Sequence, residues 1–307
     1  MNQSGIKRKE TMKRLKRYSP LYLLLLPALA YIVVFNYMPM YGVQIAFKNY
    51  RSSRGIFGSD WVGIENFVRF LTYPDFWNLI RNTLRLSLYS LATFPCALLL
   101  ALSINEVRNY KFRKTVQMVT YMPHFISTVV LVGMLNLFFS QSNGLINNLL
   151  EIVGIQRLPM LTAPRYFSHL YIWSGVWQNI GWGSIIYVAA LSSVSPELIE
   201  AARIDGASRM QVIWHVNIPS ILPTIVILLI LSTGNILSVG FEKVYLMQNA
   251  MNISVSQIIS TYVYEVGLIS GRFSYSAAIG LFNNVINVIV LLIVNQTANK
   301  ISGTSLF

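Results

Sequence analysis

Residues 195–231 read SPELIEAARIDGASRMQVIWHVNIPSILPTIVILLIL. A loop bearing three acids, Glu197, Glu200 and Asp205, runs into a stretch that is apolar on every face from 221 to 231. A barrel strand would alternate apolar and polar residues, so an all-round apolar run reads as a helix in hydrocarbon. Five further apolar stretches reach or approach the roughly 20 residues that cross about 30 Å of bilayer core. The six lie at about 20–47, 83–105, 115–140, 168–194, 220–241 and 275–297. With 307 residues, 54% apolar and 11% charged, the chain is too apolar and charge-poor for a soluble domain. It reads as an all-α membrane protein with six transmembrane helices.

The net charge of +13 invites a nucleic-acid reading, but the basic residues fall as a topology signal. Lys7, Arg8, Lys9, Lys13, Arg14, Lys16 and Arg17 crowd the first 17 residues, and Arg108, Lys111, Arg113 and Lys114 follow the second span. Positive-inside bias puts the N-terminus and that loop in the cytoplasm, and six spans return the C-terminus there. No soluble basic domain is left to bind nucleic acid. The basic start and Ala28-Leu29-Ala30 resemble a signal peptide, but apolar character continues to Phe47, which favours a retained first helix. The expected organisation is a basic tail over 1–18, a membrane domain over 19–300 and a short tail over 301–307. Segments 48–82, 141–167 and 242–274 face outside. Cys96 lies within the second span and has no disulfide partner in the chain.

The loop over 195–219 has internal punctuation. Ser195-Pro196-Glu197 reads as a helix start: a hydroxyl N-cap, a proline at the first helical position and an acid near the positive dipole end. Gly206 can take a left-handed conformation and stop that helix. A second short helix then fits 208–216, before Pro219 and Pro223 lead into the fifth span. The product is two short helices with a bend at Gly206. Its acids match anionic headgroups poorly and a groove on another protein better.

Glu200-Ala201-Ala202, three residues, Gly206, nine residues, Val216, one residue and Ile218-Pro219 resemble the EAA coupling motif of type I ATP-binding-cassette importer permeases. The family closes on Ile-x-Leu-Pro, so Val216 and Ile218 are conservative departures. Glu200 through Asp205, Gly206 and Ala207 is similar to the sugar-importing branch. Residues 121–127 (YMPHFIS), 144–147 (GLIN), 177–187 and 262–267 (YVYEVG) resemble the oligosaccharide permeases of the subgroup named for lipoprotein-associated component B, over roughly 15–300. The resemblance implies that the loop sits in a cleft of an ATPase subunit, with Glu200 pairing a basic group there and Gly206 as hinge. It also implies a second, related permease chain, two ATPase subunits and an extracytoplasmic substrate-binding protein docking on 48–82 and 242–274. The expected location is the bacterial cytoplasmic membrane, in contact with lipid.

This chain has no Gly-x-x-x-x-Gly-Lys-Ser/Thr phosphate cradle, so ATP and Mg belong to the partner ATPases and no cofactor is expected here. Sugars offer hydroxyls and flat apolar faces, so a path for them wants amides and aromatic rings. Trp177, Asn179, Trp182 and Tyr187 on the fourth span and Asn283, Asn284 and Asn287 on the sixth are the candidates, whereas Trp173 fits an interfacial belt. Charges inside the spans are scarce, Arg85 being the main exception, which disfavours ion-coupled transport. Acidic sugars stay open through loop residues such as Lys243 or Arg272. His124, His169 and His215 are too scattered for a metal site, and His124 beside Pro123 reads as packing near a helix start. The rival readings are a peptide or amino-acid permease of the same class and an intramembrane enzyme. For the latter, Gly181-Trp182-Gly183-Ser184 does not match a Gly-x-Ser-Gly nucleophile.

Overall fold

A computed structural model describes residues 3–234 and 236–306, with side-chain surroundings from residue 18 onward. The basic residues 7–17 of the topology argument lie outside the described side chains. Helices dominate; a two-stranded antiparallel pair, Lys48–Asn49 with Asp60–Trp61, sits in the segment after the first span.

Four helical runs are long and apolar enough to cross a membrane: Tyr18–Phe47, Phe76–Asn105, Arg209–Thr233 and Phe273–Ser302. Two more qualify as bent pairs, Tyr110–Phe125 with Thr128–Phe139 at 99° and Pro164–Ser192 with Pro196–Ile204 at 74°. The protein is thus a mostly helical membrane protein with four to six spans.

Three expectations are corrected. The third stretch, 115–140, is not one straight span. Pro123 lies in a tight turn over Met122–Phe125, Ile126 is extended, and Ser127 caps the next helix by accepting from the Val130 N–H. A capped restart at an extended residue is a new helix start, which the apolar composition concealed. The fifth stretch, 220–241, begins earlier and ends earlier: one run covers Arg209–Thr233, and a new helix begins at Phe241. The separate short helix over 208–216 does not form. The backbone widens into a π turn at Ile213–Asn217, just before Pro219, and continues. A wider turn relieves the clash and missing N–H of a proline, so the helix passes through it.

Asn287 on the last span supports the non-helical stretch after Thr233. Its Oδ1 accepts from the Leu237 N–H at 3.0 Å and its Nδ2 donates to Ser238 Oγ at 2.9 Å. Irregular backbone inside a membrane bundle persists where neighbouring helices satisfy it. In the same way Asn82 donates to the Ser254 and Gln257 carbonyls, and Thr83 Oγ1 accepts from the Ile259 N–H. The segment after the fifth span is thereby anchored to the second.

Packing joins these parts at two levels. Ala101, Leu102, Tyr187, Leu191 and Ile221 form a buried cluster among the second, fourth and fifth spans. Phe70, Phe76, Leu79, Ile259, Tyr262, Tyr275 and Ile279 form another that ties the last span to the loop segments. Gly181 lets the fourth span lie against the third, since a Cβ there would run into the Thr120 carbonyl.

Candidate coupling loop and substrate cavity

The helix Pro196–Ile204 leaves the fourth span at 74° and stops at Gly206, whose φ is +81°. Its end closes with two bonds: the Ala207 N–H donates to the Ala202 carbonyl at 2.9 Å and the Gly206 N–H to the Arg203 carbonyl at 3.1 Å. This crossed pair is the Schellman arrangement, which needs a left-handed residue where glycine stands. The expected bend is present, and Ala201 and Ala202 lie on the turns that set it up. At the other end one expectation fails. Pro196 does occupy the first turn, but the Ser195 hydroxyl does not cap the helix; it donates instead to the Glu197 carboxylate. That bond holds the Glu197 carboxyl below its ordinary value. Turned toward the carboxylate, the hydroxyl makes a hydrogen bond to a charged acceptor, which is stronger than one between neutral groups.

Glu200, Asp205 and Gly206 are all exposed, and Ile204 is 86% exposed. Leu198, Met210 and Trp214 add exposed apolar surface on the same element. Ser208 and Gln211 then form a capping box that starts the next helix. The loop therefore presents a bent, hydrogen-bonded platform with both acids and apolar side chains outward.

A cavity of about 520 Å³ lies among the second, fourth and fifth spans and the helix Phe241–Met247. Ser87, Ser90, Gln178, Asn179, Tyr187, Ser232 and Lys243 contribute to its wall. Of the residues expected along a sugar path, Asn179 and Tyr187 reach it. Tyr187 is 2% exposed, and its hydroxyl has no hydrogen-bond partner. Trp177, two residues from Asn179, points round the helix to a separate apolar hollow of about 430 Å³ beside Leu131, Phe138 and His169. Residues two apart on a helix do not share a face.

Trp182 lies flat on the His124 ring, centroids 4.4 Å apart and 6° from parallel. His124 Nδ1 is 3.0 Å from Asn179 Oδ1, while Asn179 Nδ2 donates to the Gly175 carbonyl at 3.1 Å. Asn179 and Trp182 are thus brought together by a residue from the bend of the third span, where a lone histidine had read as local packing. Gln178 also crosses to that bend, donating to the Ile126 carbonyl at 2.8 Å.

The sixth-span amides divide. Asn283 has a buried Oδ1 with no partner, Asn284 is exposed, and Asn287 commits its amide to residues 237 and 238. None of the three lines the cavity. His169 bonds to the Tyr89 hydroxyl and His215 to the Gln211 carbonyl, both far in sequence from His124.

Residues 93–303 match the family model described as binding-protein-dependent transport system inner membrane component. The chain belongs to this family. It is a permease subunit of an ATP-binding-cassette importer, a multi-pass protein of the cytoplasmic membrane. The permease is 43% identical over 98% of its length to the polygalacturonan/rhamnogalacturonan transport system permease protein YteP of Bacillus subtilis (strain 168), covering 94% of that protein. It is also 43% identical over 96% of its length to Protein LplB of the same organism, covering 93% of that chain. A solved bacterial transporter involved in import of the acidic polysaccharide alginate superposes with a TM-score of 0.88 at 40% identity, over 95% of this chain and 99% of that one. A second structure of the alginate transporter, in complex with a pentasaccharide-bound periplasmic protein, gives the same score at 40% identity over 96% and 99%.

Proposed function

We propose that this permease carries oligosaccharides inward by alternating access, driven through the loop over 195–219 by two ATPase subunits. The observation that carries the saccharide reading is end-to-end similarity, at 43% identity, to a polygalacturonan/rhamnogalacturonan permease. The cavity supports it, since hydroxyls and amides are what a sugar needs and its volume falls within the roughly 300–1,000 Å³ of small-ligand sites.

In this reading six spans run with both termini in the cytoplasm, the basic tail over 1–18 and the residues 301–307 flanking a membrane domain over 19–300. Glu200, Ala201, Ala202, Asp205, Gly206 and Ala207 form the contact with the ATPase, Glu200 pairing a basic group there. The Schellman closure makes the element stiff, so displacement of Pro196–Ile204 is passed to the fourth span rather than absorbed at the bend. Asn179, Trp182 and Tyr187 lie on that span, with Trp177 and the amides Asn283, Asn284 and Asn287 as further path residues. Movement of the fourth span then changes what the cavity offers a substrate. ATP and Mg are held by the ATPase chains, and this chain carries no cofactor of its own. A related but different permease completes the pathway, and an extracytoplasmic binding protein docks on 48–82 and 242–274.

The test is uptake in proteoliposomes holding the co-purified complex with its binding protein. A panel of labelled oligosaccharides and oligopeptides is offered, and ATP-dependent accumulation of saccharides alone is expected. Accumulation of peptides alone refutes the proposal.

A further inference from the structure

Lys243 is a buried cation with no anion beside it. Its residue is 9% exposed; Nζ donates to the Tyr171 carbonyl at 2.7 Å and stands 4.8 Å from the centre of the Tyr171 ring. Both partners are neutral. The ion pairs among the described residues, Arg54 with Asp60 and Arg157 with Glu151, lie elsewhere, and no Asp or Glu lines the cavity that Lys243 faces. An ammonium held out of water without an opposite charge is costly, because neutral partners do not replace its lost hydration. Burial accordingly draws Lys243 down to about 8.

The surroundings say what would relieve that cost. An ammonium has three donors, of which the Tyr171 carbonyl takes one. Ser87 and Ser232, also on the cavity wall, donate their hydroxyl protons back to the Thr83 and Leu228 carbonyls. Their remaining lone pairs are acceptors for hydroxyl groups of a ligand. One cation with spare donors among hydroxyl acceptors suits a polyhydroxylated ligand carrying single negative charges. A phosphate, with more charge and three oxygens, calls for several cations, an arginine fork or a nest of backbone N–H groups.

We propose that Lys243 reads a carboxylate on the transported sugar, making the preferred substrate class an acidic, uronate-type oligosaccharide. This rests on the saccharide reading above and narrows it. A neutral sugar of the same size fits the same acceptors but leaves the ammonium unpaired, so the site discriminates by charge.

The complete complex in proteoliposomes, with binding protein and ATPases, is offered trigalacturonate, trimannuronate and the carboxyl-reduced, neutral form of each. Lys243→Met is expected to lower the ratio of acidic to neutral trimer uptake by about tenfold or more, the worth of a charge-assisted hydrogen bond. Lys243→Arg keeps the charge and the preference for acid. Equal loss of acidic and neutral uptake in Lys243→Met overturns the proposal in favour of a packing role, and unchanged acidic uptake overturns it outright. Should Lys243→Met not assemble, the wild-type complex decides: trigalacturonate protects Lys243 from amine acylation, read by mass spectrometry, whereas its neutral form does not. Lack of that protection refutes the proposal. A wild-type complex importing only neutral trimers refutes the carboxylate while keeping the saccharide reading; one importing none of the four refutes the saccharide reading itself.

Discussion

Replacing Gly206 tests whether the bent loop transmits force. Its φ of +81° is one that L side chains rarely adopt, and its N–H donates to Arg203. Proline fixes φ near −65° and removes that donor, and it pushes the preceding residue toward extended backbone, away from the φ of −70° and ψ of 2° that Asp205 holds. The sum is about 3 kcal/mol or more against the native bend, since proline in a position that needs the N–H costs about that much. Alanine keeps the N–H but meets the left-handed penalty of roughly 1–2 kcal/mol, and asparagine, which visits that region readily, meets less. Because no atom comes within 4 Å of a Cβ placed at Gly206, these costs are conformational rather than steric. Uptake in proteoliposomes is expected to fall in the order glycine, asparagine, alanine, proline. Proline should lose about two decades, as 1.4 kcal/mol is tenfold. Membrane insertion, followed by protease protection, should be unchanged, since the loop is exposed and packs against none of the spans at Gly206. Normal uptake by Gly206→Pro, or a proline variant no worse than alanine, refutes the coupling role.

Asn287→Leu strands the Leu237 N–H and removes a bond to Ser238, so detergent-solubilised protein should lose about 1–3 kcal/mol of stability, read as a lowered thermal midpoint. A midpoint unchanged within error would show that the stretch after Thr233 needs no such support. Gly181→Val drives side-chain atoms against the Thr120 carbonyl and should cost about 1–3 kcal/mol by overpacking, whereas Gly183→Ala, whose Cβ would come 3.3 Å from Ala97 Cβ, should cost less. Reversal of that order in melting curves would contradict the third-to-fourth span contact. Burial lowers the pKa of Lys243 to about 8, so it is charged at pH 7 and neutral by pH 9. Preference for acidic over neutral trimers should therefore fall as pH rises through about 8 in the wild type, and should be absent at both pH values in Lys243→Met.

The loop was legible in the sequence because its determinants are local. Gly206 and Pro196 act through backbone torsions and bonds spanning five residues or fewer, which residue order alone specifies, whereas the Ser208 capping box was not read from it. Where one side chain could serve two roles the pattern named the wrong one: the Ser195 hydroxyl donates to the Glu197 carboxylate instead of accepting from a backbone N–H. The spans were legible because hydrocarbon demands long apolar helices, but their breaks were not: the restart at Ser127 and the end at Thr233 lie within apolar runs. Only the tertiary structure decided the cavity. Trp177 and Asn179 look equivalent in order yet face different hollows, and His124 and Lys243 join Asn179's surroundings from 55 and 64 residues away. Backbone preference is carried by neighbours along the chain, whereas the chemistry of a cavity depends on which helices pack together, and that is settled by contacts between distant segments.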